Sequence, residues 1–198
     1  MRLIRREAFW CIAALAAWPC AAATGVPMPA VWQEHHVNFV YTGLTSRYSC
    51  DGLTDKVRDM LMELGARGDM RIRAIGCEEY GRPPGVNSIS PSLDVVFSSP
   101  AIPDAADKPR HVGDLAPTDA RFEPFTISAD AFHNMGLGDC ELVEEFAQQI
   151  LPKLATRDLK QNITCIPYQL SGSRYVVQGQ ILRALPAAEQ PALRKRPR

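Results

Sequence analysis

Two stretches of the chain are built alike, and they restrict the fold more than any other feature. Between Cys50 and Cys77, Leu53, Val57, Met60, Leu61 and Leu64 fall on one helical face, and Met70, Ile72 and Ala74 then alternate with Arg71 and Arg73 as a half-buried strand does. Between Cys140 and Cys165, Leu142, Val143, Phe146, Ile150 and Leu154 repeat the helical face, with Leu159, Ile163 and Ile166 in or beside a returning strand. Ser49 and Asp139 stand where N-caps belong, Asp51 complements the first helix dipole, and Gly65 sits just past that helix. The run ARGDMR corresponds to ATRDLK, which aligns Asp69 with Asp158 at the turn. Pro152 is the discord: inside a helix a proline costs about 3 kcal/mol, so a kink or a broken last turn is expected there.

Geometry then predicts how the cysteines pair. A helix of about 15 residues rises about 23 Å, and a strand of about seven residues returns the same distance, which brings the second cysteine back beside the first. Bridges Cys50 to Cys77 and Cys140 to Cys165 follow, each clamping a helix start to the end of the next strand, whereas the two other pairings would tie the halves together. Disulfides suit the compartment that the first residues imply. MRLIRREAFWCIAALAAWPCAAATG has three arginines, a short apolar run and then Ala21-Ala22-Ala23, the layout of a secretory signal cleaved near Ala23. That run is too short to span a membrane and no later segment comes close, so a mature chain in the periplasm or secreted is expected, without a transmembrane segment.

Further strands flank each unit: 37–43 and 93–97 about the first, 122–128 and 175–183 about the second. The expected fold class is α+β, two βαββ halves (about 36–98 and 121–184) sharing one antiparallel or mixed sheet with both helices on one face, of ferredoxin-like flavour. Val37, Phe39, Tyr41, Leu93, Val95, Phe97, Phe125, Ile127, Tyr175, Val177 and Ile181 should face the helices, and Pro124 should mark a strand edge or bulge. Residues 24–185 form a single domain on this reading, with 1–23 as the signal and 186–198 as a disordered basic tail. The linking segment 98–120, rich in Pro, Asp and Ala, reads as an exposed loop, and 78–92 as a long loop between strands.

Little in the chain points to catalysis. Loss of residues 1–23 turns 22 basic and 22 acidic residues into 19 and 21, a mildly acidic body that argues against a nucleic-acid surface. His35 and His36, read as lying just before the first strand, would point to opposite sides of an extended chain. His111 and His133 sit in loops near Asp114 and Asp130 without a zinc or hydrolase spacing. Cys50, Cys77, Cys140 and Cys165 lack the short CxxC clips of structural zinc sites and of redox enzymes. SGS at 171–173 is no nucleophile elbow and reads as a hairpin turn, Glu78-Glu79 and Glu144-Glu145 read as solvated charge, and GRPPG at 81–85 as a plain turn. No catalytic residue, cofactor or metal ligand is therefore assigned.

The runs YTGLTSRYSCDGLTDKVRDMLMELGAR and GDCELVEEFAQQILPKLATRDL resemble small exported hypothetical proteins of Gram-negative bacteria that carry no assigned activity. The resemblance implies export and adds no site residues. Taken together, these features predict a non-catalytic, disulfide-stabilised binding or scaffold module of the cell envelope whose partner is an envelope protein or ligand. The alternatives are a hydrolase or metal-dependent enzyme using the loop histidines and carboxylates, and an inhibitor or adhesion subunit that adds a strand to a partner.

Overall fold

The computed structural model describes residues 25–75, 91–103, 117–132 and 134–186. The leader, Cys77, Glu78-Glu79, GRPPG, His111, His133 and residues 187–198 of the tail lie outside them. Strand β1 (Met28–Val40) leads to helix α1 (Cys50–Glu63), β2 (Arg71–Ile75) and β3 (Ser92–Ala101). The same order follows in β4 (Pro117–Ser128), helix α2 (Cys140–Gln149), β5 (Thr156–Thr164) and β6 (Arg174–Ala184).

Helix α1 begins and ends where the local chemistry directs. Ser49 accepts a bond from the Gly52 amide, Asp51 lies in the first turn, and Leu53, Val57, Met60 and Leu61 are buried along one face. At the other end the Ala66 amide bonds Leu61 O at 2.9 Å and the Gly65 amide bonds Met62 O at 3.0 Å, the paired bonds of a Schellman cap. Gly65 has φ of 84°, which a Cβ would disfavour. Helix α2 stops at Gln149, and Pro152 sits in the single 3-10 turn Leu151–Lys153 that follows, the broken last turn expected of it.

The six strands form one antiparallel sheet in the order β2-β3-β1-β4-β6-β5. Val37 pairs with Val95, which pairs with Ile72 on its other side, and Ile127 pairs with Val177, so alternate residues place one apolar face under both helices. All eleven residues expected to face inward are buried there, in one core shared with Leu53, Leu61, Phe146 and Ile150 from the helices.

The seam at the centre of the sheet is short. β1 pairs with β3 from Val31 to Val40, but with β4 only through Met28–Val31 against Pro117–Ala120. The strands are consequently longer than their alternation suggests. β1 starts at Met28, so His35 and His36 lie inside it, and the supposed exposed loop 98–120 is strand at both ends, 98–101 and 117–120, with Ser99 and Thr118 buried. These stretches carry Ser, Thr, Pro, Gln and Glu with no regular alternation, which conceals them. Pro124 pairs with Gln180 of β6 in continuous register, with no bulge, at a point on β4 where no β1 residue pairs opposite; the missing N–H faces no ladder there.

Cys140 and Cys165 are bridged, with Cα atoms 5.6 Å apart, which ties the first residue of α2 to the end of β5 as the helix-and-return geometry requires. Cys50 is also in disulfide form, and its expected partner Cys77 lies outside the described residues. The bridge closes a loop 25 residues long in sequence. Replacing Cys140 and Cys165 together by serine should therefore lower unfolding free energy by about 2–4 kcal/mol. Urea unfolding under non-reducing conditions checks this, and an unchanged midpoint contradicts it.

Candidate functional site

Among the described residues a dense polar cluster lies where α2 begins. Residues Leu137–Asp139 make a 3-10 turn into the helix, and both Asp139 and Glu141 are buried beside Cys140. Asp139 does not cap α2 as its position suggests. Its carboxylate turns back and accepts from the Gly136 amide at 2.7 Å and Lys56 Nζ at 3.0 Å through Oδ2, and from the Tyr48 hydroxyl at 2.5 Å through Oδ1. Glu141 Oε2 accepts from the Leu44 and Thr45 amides, both at 2.7 Å. Burial of such groups is costly unless their hydrogen bonds are satisfied: Asp139 is paired with Lys56 and bonded by Tyr48 and Gly136, and Glu141 is held by two backbone amides.

The segment between β1 and α1 is thereby bound to the second half of the molecule at every step. The Gln149 amide group extends the sheet ladder sideways, donating to Val40 O and accepting from the Val40 amide, each at 2.8 Å. Thr42 donates to Glu145, one of the pair Glu144-Glu145 read as solvated charge. Ser46 Oγ donates to Gly138 O at 2.7 Å, an approach so close that a Cβ on Gly138 would lie 2.7 Å from that oxygen. The Tyr41 hydroxyl donates to Ser46 O and the Tyr175 hydroxyl to Gly136 O. Burial first, and the neighbouring carboxylates after it, push the hydroxyls of Tyr41, Tyr48 and Tyr175 above the ordinary tyrosine range, so all three serve as donors.

Three loops meet over this cluster: 42–49, 134–138 and 165–173. The third is wider than the tight turn read from SGS, since β5 ends at Thr164, and Ser173 is buried as its brace. Ser173 Oγ accepts from the Ile166 amide and donates to Gln169 O, each at 3.0 Å, and the Tyr168 amide reaches across to Thr45 Oγ1 at 3.0 Å. On top of these polar tethers the loops turn large apolar side chains outward. Leu44 is 52% exposed, Leu137 50%, Tyr168 76% and Leu170 54%, and Leu170 lies over Gly138. Tyr168 adopts φ of 63°, a strained conformation for an aromatic residue. Isolated exposed leucines are ordinary; four large apolar side chains on three braced loops are a patch. Sequence reading passes over them because they come from three short segments far apart in the chain, none long enough to carry a period that marks an element.

The histidines do not converge. His35 turns to the helix side, stacks on Phe97 with ring centroids 5.0 Å apart and shares a 3.0 Å hydrogen bond with Ser99 Oγ, while His36 points away and bonds the exposed Glu34. The opposite orientations of the two rings are those expected on an extended chain. Ser99 and His35 are in contact, yet Ser99 is buried, and among the described residues no group of three or more His, Cys, Asp and Glu side chains gathers as a metal site would require. A polar groove of about 260 Å³ runs beside β2 on the helix-free face, between Glu34, Arg67, Asp69 and Arg71. Arg67 is already engaged there by Asp69 at 2.6 Å and lies 5.5 Å from the centre of the Trp32 ring.

Comparison with protein-family models, with curated proteins and with solved structures returns no match. The geometry alone thus defines the class: an antiparallel α+β domain with a disulfide beside a braced apolar tip.

Two outcomes test the polar framework. Glu141→Ala leaves the Leu44 and Thr45 amides without their acceptor, which should cost about 1–3 kcal/mol, and hydrogen exchange at those two amides should accelerate. Burial, then Lys153, then His36 hold the His35 imidazole below its ordinary 6.5. Its contribution is complete above that pH, where the unfolded chain is neutral as well, and drains away as pH falls from 6.5 toward the depressed folded value, because the unfolded chain gains a proton that the folded one resists. The urea midpoint should fall over that window, and less steeply in His35→Gln, which can keep a bond to Ser99.

Proposed function

We propose that this chain is an exported, non-catalytic binding module of the cell envelope whose recognition surface is the apolar tip formed by Leu44, Leu137, Tyr168 and Leu170. One observation carries the reading: four large apolar side chains, one of them a tyrosine of the kind that anchors interfaces, stand in solvent on loops whose backbones are fixed from below. Fixing loops in advance lowers the entropy cost of binding, and it is a wasteful way to build loops that recognise nothing. Export is supported by the signal-like leader and by the disulfide. It also fits that no helix among the described residues is long and apolar enough to cross a membrane. We further read the two βαββ halves as copies of one unit with ferredoxin-like flavour; the support is the repeated element order and a strand order that places β2-β3-β1 and β5-β6-β4 as mirror lists about the seam.

The strand-addition alternative has less support. The edge strand β2 is only five residues long and carries Arg71 and Arg73, and the edge strand β5 has a register shift between Arg157 and Lys160 with Asp158 at φ of 55°. Short, charged and bulged edges resist pairing with another chain. A photo-crosslinking residue at position 168 should give adducts in the intact envelope, and one at the exposed position 159 on β5 should not. Equal labelling at both positions, or none at 168, would remove the tip as the recognition surface.

A further inference from the structure

Independently of the tip, we infer that the polar groove beside β2 is a second site, one that takes a neutral saccharide. The groove has a built floor. Ser98 lines it on the helix-free face, since Phe97 next to it turns into the core, and yet Ser98 is only 8% exposed. Glu34 of β1 pairs with it on one side, and on the other the Arg67 amide donates to Ser98 O at 2.9 Å, so chain flanks it on both sides. Its hydroxyl bonds no group among the described residues, whereas the similarly buried Ser99 shares a bond with His35, and Ser173 bonds Ile166 and Gln169. Nor is that hydroxyl sealed off, so the groove is what opens onto it. A polar group held so deep without a protein partner is costly unless something in the groove meets it.

The walls select the class of ligand. Among the described residues, the charged side chains lining the groove are Glu34 and Asp69 against Arg67 and Arg71, and the next cross-strand pair, Arg73 opposite Asp94, cancels in the same way. Walls without net charge select neither an anion nor a cation. They present acceptors and donors side by side, because a carboxylate only accepts and a guanidinium only donates. A ligand that satisfies both must accept and donate at neighbouring atoms, as the vicinal hydroxyls of a sugar ring do. The walls are also held in place for it. Asp69 is paired with Arg67 at 2.6 Å, Arg67 lies 5.5 Å from the centre of the Trp32 ring, and Glu34 Oε1 accepts from His36 at 2.9 Å. Pairing of Asp69 with Arg67 disfavours a zwitterion, which would have to break that pair to meet its charges, while a carboxylate keeps lone pairs for neutral hydroxyls. A volume of about 260 Å³ is at the small end of ligand pockets, which run about 300–1,000 Å³ for drug-sized molecules, and suits a mono- or disaccharide unit.

Calorimetric titration of the full chain with maltose, N-acetylglucosamine and chitotetraose, beside glucose 6-phosphate, glucosamine and alanylalanine, tests the inference. At least one of the three neutral saccharides is expected to bind with a Kd on the order of 1 mM or tighter. The affinity should be the same at about 0.05 M and about 1 M salt, because a neutral ligand leaves nothing to screen. Ser98→Ala and Arg71→Gln should each weaken it about fivefold or more with the urea midpoint unchanged, and Tyr168→Ala at the tip should bind as the parent does. Saccharide should alter tryptophan emission in the parent and leave it unaltered in Trp32→Phe, since Trp32 is the single tryptophan after residue 18. Tighter binding of chitotetraose than of N-acetylglucosamine assigns the site to a glycan polymer, and equal binding assigns it to free sugar. Failure of all three saccharides to bind, preference for a charged probe, or saccharide binding that the groove substitutions leave untouched overturns the inference. None of these outcomes touches the tip reading, which position 168 tests separately.

Discussion

The two halves of this protein share a sheet through four residue pairs, Met28–Val31 against Pro117–Ala120, and so short a seam cannot orient them by backbone hydrogen bonds alone. What fixes their relation is a pair of buried carboxylates. Asp139 and Glu141 belong to the second half, and of their partners Tyr48, Lys56, Leu44 and Thr45 belong to the first. Gln149 adds a fifth tie at Val40, and Arg183 of β6 returns the favour from the other side by donating to Glu63 O at the C-terminal end of α1, where carbonyls lack helical partners. The common core beneath supplies nondirectional attraction, while these bonds select one arrangement among the packings such a core would accept. Directional selection is the best-attested use of buried polar groups.

The same bonds settle the upper surface. A loop residue whose amide is held at 2.7 Å by a buried carboxylate has little freedom left, and Leu44 and Thr45 are both so held. Tyr168 is tied to Thr45, and Leu170 rests over Gly138, so loops from distant parts of the chain depend on one another as well as on the base. Disturbing Glu141 would thus act on Leu44 directly and on Tyr168 through Thr45.

Elements whose burial is one-sided were legible from residue order alone. Leu53 to Leu64 and Leu142 to Leu154 carry a helical period, the eleven inward strand residues alternate cleanly, and the return geometry of a helix and strand located the Cys140–Cys165 bridge. Legibility failed where burial has two sides or where the signal is nonlocal. At Phe97, Ser98, Ser99 and Pro100 four consecutive residues are buried, so no alternation survives to mark the strand. Asp139 has the sequence position of a helix cap, and only the fold brings Lys56 and Tyr48 to it. The exposed leucines of the tip come from segments about ninety and thirty positions apart, and no local pattern registers a patch assembled in that way.

The place of the disulfide gives it a role besides stability. Cys140 lies between Asp139 and Glu141, and Cys165 opens the loop that carries Tyr168 and Leu170. The crosslink joins the base that anchors loop 42–49 to the loop laid across it, so two of the three apolar contributions to the tip keep a covalent reference to the same helix end. In an oxidising compartment that reference persists through any local opening of β5, whose residues Arg157 to Asn162 are exposed and whose ladder is interrupted by the bulge at Asp158. The strand that follows α2 can loosen without releasing the loop beyond it. The bridge therefore holds the loop after β5 to the start of α2 independently of the hydrogen bonds of that edge strand.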